Sequence, residues 1–510
     1  MYKWGEYACL LISRLCEIAS EIRRCFGTWF HVKRIIIINQ LFAENRRKRK
    51  GVFTLKLKTR LNGKTYEFRD VKDVLAKANE PKSGDRYLGI APETVSEKIA
   101  AKVVLSELTV ADITENPVVP YEKDEVTRVE IDSMNKRMYD KFKNYTIAEV
   151  REWIMDHKTT TNDLYRASYA WIGETVAAVA KICSASDLIY GASKCCRPTR
   201  CETQIGLPGT LSFRAQCNSS TDDPETILLG VQEAVSFGSG DLCFGINPVE
   251  DTVETTQRIS HALRDFKDQW EIPTQISVLS HVTTQMQAVR EGAPLSMFFQ
   301  SIAGTQSACE AFGVDKALLN EAYDLAKQEC YGTGMNKLYF ETGQGSEMSI
   351  DCDEGADEMT LEARTYGFAR NFEPFGVNNV TGFIGPETIY DGKEMIRGNL
   401  EDHFMAKIIG LPMGMAPCFT NHTGITQDDQ EIACLLLNAA NCNYYMGVPM
   451  GDDVMLAYQD VSFHDDNTMR ELSHRKPAPE FHKWAIKMGI LDEEGRLGER
   501  AGDASMFFAK

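Results

Sequence analysis

The chain has 510 residues, of which 43% are hydrophobic and 25% charged, and its formal net charge is −17. Its length exceeds what one hydrophobic core usually organises, so a barrel-sized domain of about 250–300 residues with appended segments is expected. Proteins bind phosphate-rich partners through clustered Lys and Arg, so this acidic balance argues against nucleic acid and against an anionic membrane surface. A small neutral or cationic substrate fits the charge better.

The first fifty residues differ in charge from the rest of the chain. They hold eleven Lys or Arg and four Glu, a balance of +7, so the remainder carries −24. The apolar run Ile35–Ile38 is too short to span a bilayer. Residues 1–51 are therefore interpreted as a basic extension, either an organelle-targeting segment or a disordered one. The four glutamates and the scarcity of Ser weaken the targeting interpretation.

Residues 52–165 are predicted to form a mostly helical accessory region. Phe53–Leu57 and Thr65–Phe68 alternate like strands on either side of an Asn-Gly turn, which predicts a hairpin. Helical patterns follow at Ser96–Leu108 and Ile147–Asp156. A further helical stretch at 169–185 leads into the main domain.

Beyond about residue 205, short apolar runs alternate with amphipathic helical patterns. Eight runs are predicted as strands: Leu211–Arg214, Leu242–Ile246, Gln275–Leu279, Met297–Phe299, Leu338–Phe340, Val380–Phe383, a run ending near Met415, and Tyr444–Met446. The helical patterns between them are Glu225–Phe237, Glu254–Trp270, Asp315–Glu329, Met359–Phe372 and Asp428–Ala440. This alternation predicts an α/β fold, a (β/α)₈ TIM barrel at 166–475, followed by a tail at 476–510. Because little sequence separates the third run from the fourth, an open doubly wound sheet is the alternative.

The cysteines and short motifs exclude several classes of site. Fifteen cysteines are spread along the chain without the density of a small secreted scaffold, which favours a reducing compartment and a cytoplasmic location. Cys195, Cys196 and Cys201 lack the second Cys or His pair of a zinc site, so no metal site is predicted. The sequence contains no HExxH motif and no GxGxxG motif after a strand, which leaves zinc-protease and nucleotide-binding functions unsupported.

Polar residues finish most of the predicted strands, where the active sites of such barrels lie. In chain order the strand-end residues are Arg214 with Gln216, Asn247, His281, Gln300, Glu341, Phe383, Met415 with Ala416, and Met446 followed by Asp452 and Asp453. Arg214, Gln216 and Asn247 would donate hydrogen bonds to a hydroxyl oxygen, and Glu341 would offer a carboxylate to an ammonium group. A small amino alcohol satisfies this set. Alternatively, Arg214 and Glu341 pair with each other as a structural bridge, because burying an unpaired charge is costly.

The residues at these strand ends resemble those of the large subunit of ethanolamine ammonia-lyase. The resemblance extends over nearly the whole sequence from Val52 to Phe508. The motifs that carry the resemblance are Val71–Asn79 (VKDVLAKAN), Asn116–Arg128 (NPVVPYEKDEVTR), Asp187–Ala192 (DLIYGA), Gly206–Thr210 (GLPGT), Leu338–Ser346 (LYFETGQGS), Gly382–Glu387 (GFIGPE), Leu400–Met405 (LEDHFM), Gly451–Asp453 (GDD) and Gly502–Phe508 (GDASMFF). Matches of this length and number are highly specific.

The resemblance implies an adenosylcobalamin-dependent lyase that converts ethanolamine to acetaldehyde and ammonia by a radical mechanism. It implies catalytic roles for Arg214 and Glu341. It assigns the hydroxyl end of the substrate to Arg214, Gln216 and Asn247, the amino end to Glu341, and the cavity wall to Phe383 and Met446. The positions that match cobalamin contacts are Pro248, Gln300, Ser349 and Met455. A separate small subunit and a homo-oligomer of large subunits are the implied partners.

One position departs from the family pattern. Ala416 lies where the resemblance implies an aspartate on the substrate ammonium. Losing one charge-assisted hydrogen bond, worth about 1.5–3 kcal/mol, would weaken amine binding by about one to two orders of magnitude. Thr420, His422 or a shifted acid are the candidates for compensation.

Three alternative functions remain open at this stage. The chain could prefer a related amino alcohol, or it could bind the cofactor without turnover because of Ala416. The third alternative, a metal-free lyase or aldolase, would need a Schiff-base lysine at a strand end, and none is visible there.

Overall fold

The computed structural model describes residues 55–382 and 385–508. Lys56–Lys510 form one compact unit. The predicted extension at 1–51 and the predicted cavity residue Phe383 lie outside the described residues. Within the described ranges, no helix is long and apolar enough to cross a membrane.

A β-hairpin begins the described chain. Its strands, Lys58–Leu61 and Lys64–Glu67, pair antiparallel with Leu61 opposite Lys64. Asn62 and Gly63 form the predicted turn with φ values of 51° and 82°, the left-handed conformation that two-residue hairpin turns require. Of the predicted first strand, Phe53 and Thr54 lie outside the described residues, and Leu55–Leu57 precede the observed strand, which begins at Lys58. A two-residue turn pairs residues equally distant from it, so the register places Lys58 opposite Glu67, the last residue of the second strand.

A series of helices then connects the hairpin to the barrel strands, and we call this segment, residues 71–193, the accessory region. Its helices are Val71–Ala78, Ser83–Tyr87, Val95–Glu107, Val110–Thr114, Glu125–Asp132, Lys136–Phe142, Ile147–Met155, Thr161–Ser168, Gly173–Lys181 and Ala185–Ser193. The helical stretch predicted at 169–185 is confirmed as the helix Gly173–Lys181, but its predicted bounds are too wide, because the next helix begins at Ala185. Ser184 and Asp187 form a capping box that begins the second helix, satisfying amide groups that a continuous helix would not leave free.

Eight parallel strands form a nearly closed barrel, which confirms the predicted (β/α)₈ fold. They are β1 Ser212–Ala215, β2 Cys243–Ile246, β3 Ile276–Val278, β4 Phe298–Ser301, β5 Leu338–Thr342, β6 Gly376–Asn379, β7 Met413–Met415 and β8 Tyr444–Val448. The hydrogen-bonded order is β3-β2-β1-β8-β7-β6-β5-β4. At the seam between β3 and β4, the Ser296 amide donates to the Ile276 carbonyl at 2.9 Å.

Strand β6 lies four residues earlier than the predicted Val380–Phe383. The strand contains two asparagines, and both side chains are buried. Asn379 Nδ2 donates to Glu362 Oε1 at 2.9 Å, and Asn378 is paired in register with Glu341. A polar strand of this kind escapes a search for apolar runs, since its burial depends on hydrogen bonds supplied by other parts of the chain.

Helices surround the barrel and follow its strands. They are Pro224–Ser236, Val253–Gln269, Val282–Arg290, Gln306–Ala311, Lys316–Glu329, Ser346–Ser349, Glu358–Ala369, Gly392–Ile409, Gln427–Ala439, Phe463–Ser473 and Pro479–Met488. Three 3₁₀ turns lie at Arg370–Phe372, Pro449–Gly451 and Ala504–Phe507. Short strands lie outside the barrel at Thr199–Arg200, Gln204–Ile205, Phe419–Thr420, Asp452–Asp453 and Tyr458–Gln459, and β9, Val461–Ser462, pairs with β8.

Buried ion pairs join the accessory helices to the barrel helices. Arg364, in the barrel helix Glu358–Ala369, contacts Asp124 at 2.7 Å and Glu174 at 2.5 Å. All three side chains are at most 3% exposed. Both acids come from the accessory region, so these pairs place that region against one side of the barrel.

Candidate active site

A cavity of about 430 Å³ opens at the carboxyl ends of the strands, where barrel enzymes hold their substrates. Its polar lining consists of Gln216, Asn247, Gln300, Ser301, Glu341, Thr342, Ser346 and Tyr458. Its apolar lining consists of Leu279, Phe299, Ile302, Phe312, Val380, Met446 and Leu456. A concave site that combines an apolar wall with convergent polar groups is typical of small-molecule binding.

Arg214 organises the base of this cavity from β1. Its side chain is fully buried. The guanidinium donates from Nη1 to Glu341 Oε1 at 2.5 Å and from Nη2 to Asn247 Oδ1 at 2.8 Å. Its Nε donates to the Gly245 carbonyl at 3.2 Å. Arg214 therefore pairs with Glu341 and also fixes Asn247, so a structural bridge and a substrate-positioning role are compatible here.

Glu341, on β5, presents a carboxyl group to the cavity with 13% of its side chain exposed. Burial raises the pKa of Glu341, while Arg214 and a hydrogen bond with Asn378 act in the opposite direction. The net shift is upward. A carboxylate in this environment gains from a nearby cation, because a positive charge stabilises its ionised form.

Gln216 is held by residues from the far end of the chain. Its Nε2 donates to Asp453 Oδ2 at 2.7 Å and to the Tyr458 hydroxyl. Asp453 also accepts a hydrogen bond from Asn218 Nδ2 at 2.6 Å. Asn218 Oδ1 in turn accepts a hydrogen bond from the backbone N–H of Asn247 at 2.8 Å. This network joins the two predicted amides, Gln216 and Asn247, on one side of the cavity.

Asn218 and Tyr458 were not among the predicted site residues. Asp453 was named among the strand-end residues, as part of the Gly451–Asp453 motif shortly after β8, but no role in the site was predicted for it. Nothing in local periodicity connects that acid to Gln216, because 237 residues separate the two in sequence.

Of the four predicted cofactor positions, one lines the cavity and the other three lie within three residues of a lining residue in sequence. Gln300 lines the cavity directly, with Oε1 accepting from the Val282 amide at 3.0 Å. Pro248 and Met455 are half-buried, and each is adjacent in sequence to a lining residue. Ser349 is exposed at the end of the short helix that begins with the lining residue Ser346.

Ala416 lies in an apolar part of the site. It is fully buried in a cluster with Cys418, Met446 and Tyr458, and Met446 and Tyr458 line the cavity. Of the two named candidates for compensation, His422 is exposed. Thr420 is buried but is not one of the described residues that line the cavity.

Comparisons with known proteins agree with the resemblance. The family model for the ethanolamine ammonia lyase large subunit (EutB) matches residues 66–500. The ethanolamine ammonia-lyase large subunits of Escherichia coli (strain K12) and Salmonella typhimurium (strain LT2) are each 49% identical over 454 residues, which is 89% of this chain and 100% of theirs. A solved type I 3-dehydroquinate dehydratase from Clostridium difficile covers 54% of this chain and 97% of its own, at 10% identity and a TM-score of 0.35, too low to support any inference. From the family match and the two relatives, we conclude that the chain belongs to the family of ethanolamine ammonia-lyase large subunits.

Proposed function

We propose that this chain is the catalytic large subunit of an ethanolamine ammonia-lyase. It converts ethanolamine to acetaldehyde and ammonia by a radical mechanism that depends on adenosylcobalamin. The observation that carries the proposal is the Arg214–Glu341–Asn247 network at the base of the cavity. That network brings a carboxylate and an amide to one small space, as a substrate with one ammonium and one hydroxyl group requires.

The substrate's two ends are assigned to opposite parts of the network. Glu341 holds the ammonium group, because its upward-shifted pKa makes a cation a favourable neighbour. Gln216 and Asn247 hold the hydroxyl end, since both line the cavity and their amides are fixed by Asp453 and Arg214. Arg214 does not line the cavity among the described residues. It acts by holding Glu341 and Asn247 in place.

The residues present fit a bound adenosylcobalamin. The volume of about 430 Å³ falls within the range of about 300–1,000 Å³ that holds ligands much larger than an amino alcohol, so the cavity has room for the substrate and the reactive part of the cofactor, and the bulk of adenosylcobalamin would lie outside it. Pro248, Gln300, Ser349 and Met455 would hold the cofactor at the mouth of this space. When bound, adenosylcobalamin supplies radical hydrogen abstraction at the carbinol carbon. The apolar wall formed by Phe299, Met446 and the other apolar lining residues excludes water from that chemistry.

A small subunit is the proposed partner. The relatives that match this chain over their full length are named large subunits, which implies a second, smaller chain. We propose that this partner completes the cofactor site and that large subunits associate with one another.

The proposal is tested by co-expressing the chain with a candidate small subunit and adding adenosylcobalamin and ethanolamine. Acetaldehyde is expected as the product. Glu341→Gln is expected to abolish turnover without changing the circular dichroism spectrum, since glutamine keeps the shape but not the charge. Absence of acetaldehyde with the cofactor bound and with 2-aminopropanol also inert would contradict the enzyme proposal. Unchanged activity of Glu341→Gln would contradict the assignment of the ammonium group.

A related amino alcohol is the second candidate substrate. Ala416, Cys418 and Met446 make one part of the site apolar, and such a surface favours an additional methyl group. Comparison of kcat/KM for ethanolamine and 2-aminopropanol distinguishes the two substrates. A preference for 2-aminopropanol would favour this candidate.

A further inference from the structure

The charged groups around the cavity leave a substrate ammonium group without a full negative counter-charge. Glu341 is neutralised by Arg214 at 2.5 Å. Asp453 accepts hydrogen bonds from the amides of Gln216 and Asn218. An ammonium group beside Glu341 would add a second cation next to Arg214, and like charges in a site of low polarity repel strongly. A further negative charge close to the cavity would offset that repulsion.

Asp460 is placed to supply this charge. It directly precedes β9, which runs parallel to β8 with Val461 opposite Gly447. Successive side chains of a strand alternate between its two faces, and paired residues share a face. Asp460 therefore lies on the same face as Met446, which lines the cavity.

The carboxyl group of Asp460 is incompletely satisfied by the protein. Its side chain is buried, with 3% of the residue exposed. Oδ1 accepts from the Val461 amide at 2.8 Å, whereas Oδ2 is buried without a hydrogen-bond partner in the described part of the chain. A buried, unsatisfied carboxyl is costly, and a cation in the neighbouring cavity would reduce that cost for Asp460.

The electrostatic environment of Asp460 connects it to the site. Burial raises its pKa well above the ordinary range. Arg214 lowers that pKa, and Asp453 and Glu341 raise it. Asp460 is thus close enough to interact electrostatically with Arg214, Asp453 and Glu341. A cation added to the cavity would favour its ionised form.

We propose that Asp460 supplies the second negative charge that stabilises the substrate's ammonium group, together with Glu341. This inference rests on the proposed function. Asp460 is not one of the described residues that line the cavity, so it acts electrostatically as a positioning residue from next to Met446 and Tyr458. Attraction between opposite charges in such a site is far stronger than in water, so direct contact is not required.

The test measures equilibrium binding to the complex of this chain with its small subunit, without adenosylcobalamin, by isothermal titration calorimetry. The probes are ethanolamine and ethylene glycol, which has no ammonium group. Asp460→Asn is expected to weaken ethanolamine binding about tenfold and to leave ethylene glycol binding unchanged, because only the first ligand carries a charge. The matched control is Asp466→Asn. Asp466 is also fully buried with one unpartnered oxygen, while its other oxygen accepts from Ser239, and its replacement is expected to leave both affinities unchanged.

A second variant tests the charge rather than the residue. Ala416 lies in the same buried cluster as Met446 and Tyr458, so Ala416→Asp in the Asp460→Asn background is expected to recover most of the lost ethanolamine affinity. If Asp460→Asn does not fold, Asp460→Ser replaces it in the same comparison.

The following outcomes overturn the inference. Wild-type ethanolamine affinity in Asp460→Asn would show that its charge is not used. An equal loss for both ligands, or failure of both Asp460 variants to fold, would show a structural role. A wild-type complex that binds no ethanolamine would contradict the proposed function itself, and the inference with it. Normal binding and turnover by the wild type, with no effect of Asp460→Asn, would overturn the inference alone.

Discussion

At the scale of single residues, the ionisation of Glu341 decides whether the cavity can hold an ammonium group. Burial raises its pKa, so the carboxylate is lost at a higher pH than for an ordinary glutamate. Because the ionised form binds the substrate, kcat/KM for ethanolamine is expected to fall as pH decreases through this raised pKa. A pH profile of kcat/KM checks the prediction. A kcat/KM that stays constant as pH decreases through this range would contradict the prediction.

Gly245 has no side chain, and Arg214 occupies the space that a side chain there would fill. A Cβ added at this position would lie 2.5 Å from Arg214 Nε, and the arginine is fully buried, so it cannot move aside without disturbing Glu341 and Asn247. Gly245→Ala is expected to reduce kcat/KM about 10- to 100-fold, since small displacements of positioning groups are costly in catalysis. Steady-state kinetics measures this effect.

Gly398 provides the control for that substitution. It lies in the helix Gly392–Ile409, and an added Cβ would come no closer than 3.5 Å to its neighbours. Gly398→Ala should leave kcat/KM unchanged and preserve or slightly raise stability, because alanine favours helix. Full activity of Gly245→Ala would show that Arg214 does not depend on this space.

At the scale of elements, Arg364 joins one barrel helix to the accessory region through Asp124 and Glu174. Arg364→Met would leave both acids buried without their cation. Breaking a buried ion pair in this way costs about 3–5 kcal/mol, and the free energy of unfolding is expected to fall by that amount in urea denaturation. The control is Lys487→Met, because Lys487 and Glu271 form an exposed pair at 3.2 Å and exposed pairs contribute little. Equal effects of the two substitutions would show that burial is not what makes the Arg364 pairs important.

The strands differ in how well their sequence predicts them. β1, β2, β5 and β8 are apolar runs, and prediction places them within one or two residues. β6 carries two buried asparagines: Asn379 donates a hydrogen bond to Glu362 in another element, and Asn378 lies opposite Glu341 of the neighbouring strand. Hydrophobic periodicity detects a buried strand only when its buried residues are apolar. It therefore misses a strand whose buried residues are polar and are hydrogen-bonded to another part of the chain.

At the scale of the whole molecule, residues 1–51 are predicted to be dispensable for catalysis. Lys56–Lys510 form a compact unit on their own, and the family match covers residues 66–500. Deletion of residues 1–51 is therefore expected to leave the melting temperature and kcat/KM of the complex unchanged, as measured by calorimetry and acetaldehyde assay. A large loss of either quantity would contradict the prediction.

Residues 1–51 also decide how the location of the protein can be tested. We propose that the protein is cytoplasmic. A fluorescent protein fused to residues 1–51 is expected to remain in the cytoplasm, and its accumulation in an organelle would instead support the targeting interpretation of the basic extension.

The sequence by itself determined the barrel and the residues at its strand ends. Eight apolar runs separated by helices allow few other folds, and the position of Glu341 and Arg214 at the ends of two runs follows from that alternation. The tertiary structure alone decided which residues complete the cavity. Asp453 and Tyr458 follow the last barrel strand, yet both accept hydrogen bonds from Gln216 at the end of the first. The physical reason is barrel closure, which pairs β8 with β1 and brings together side chains that no local pattern connects.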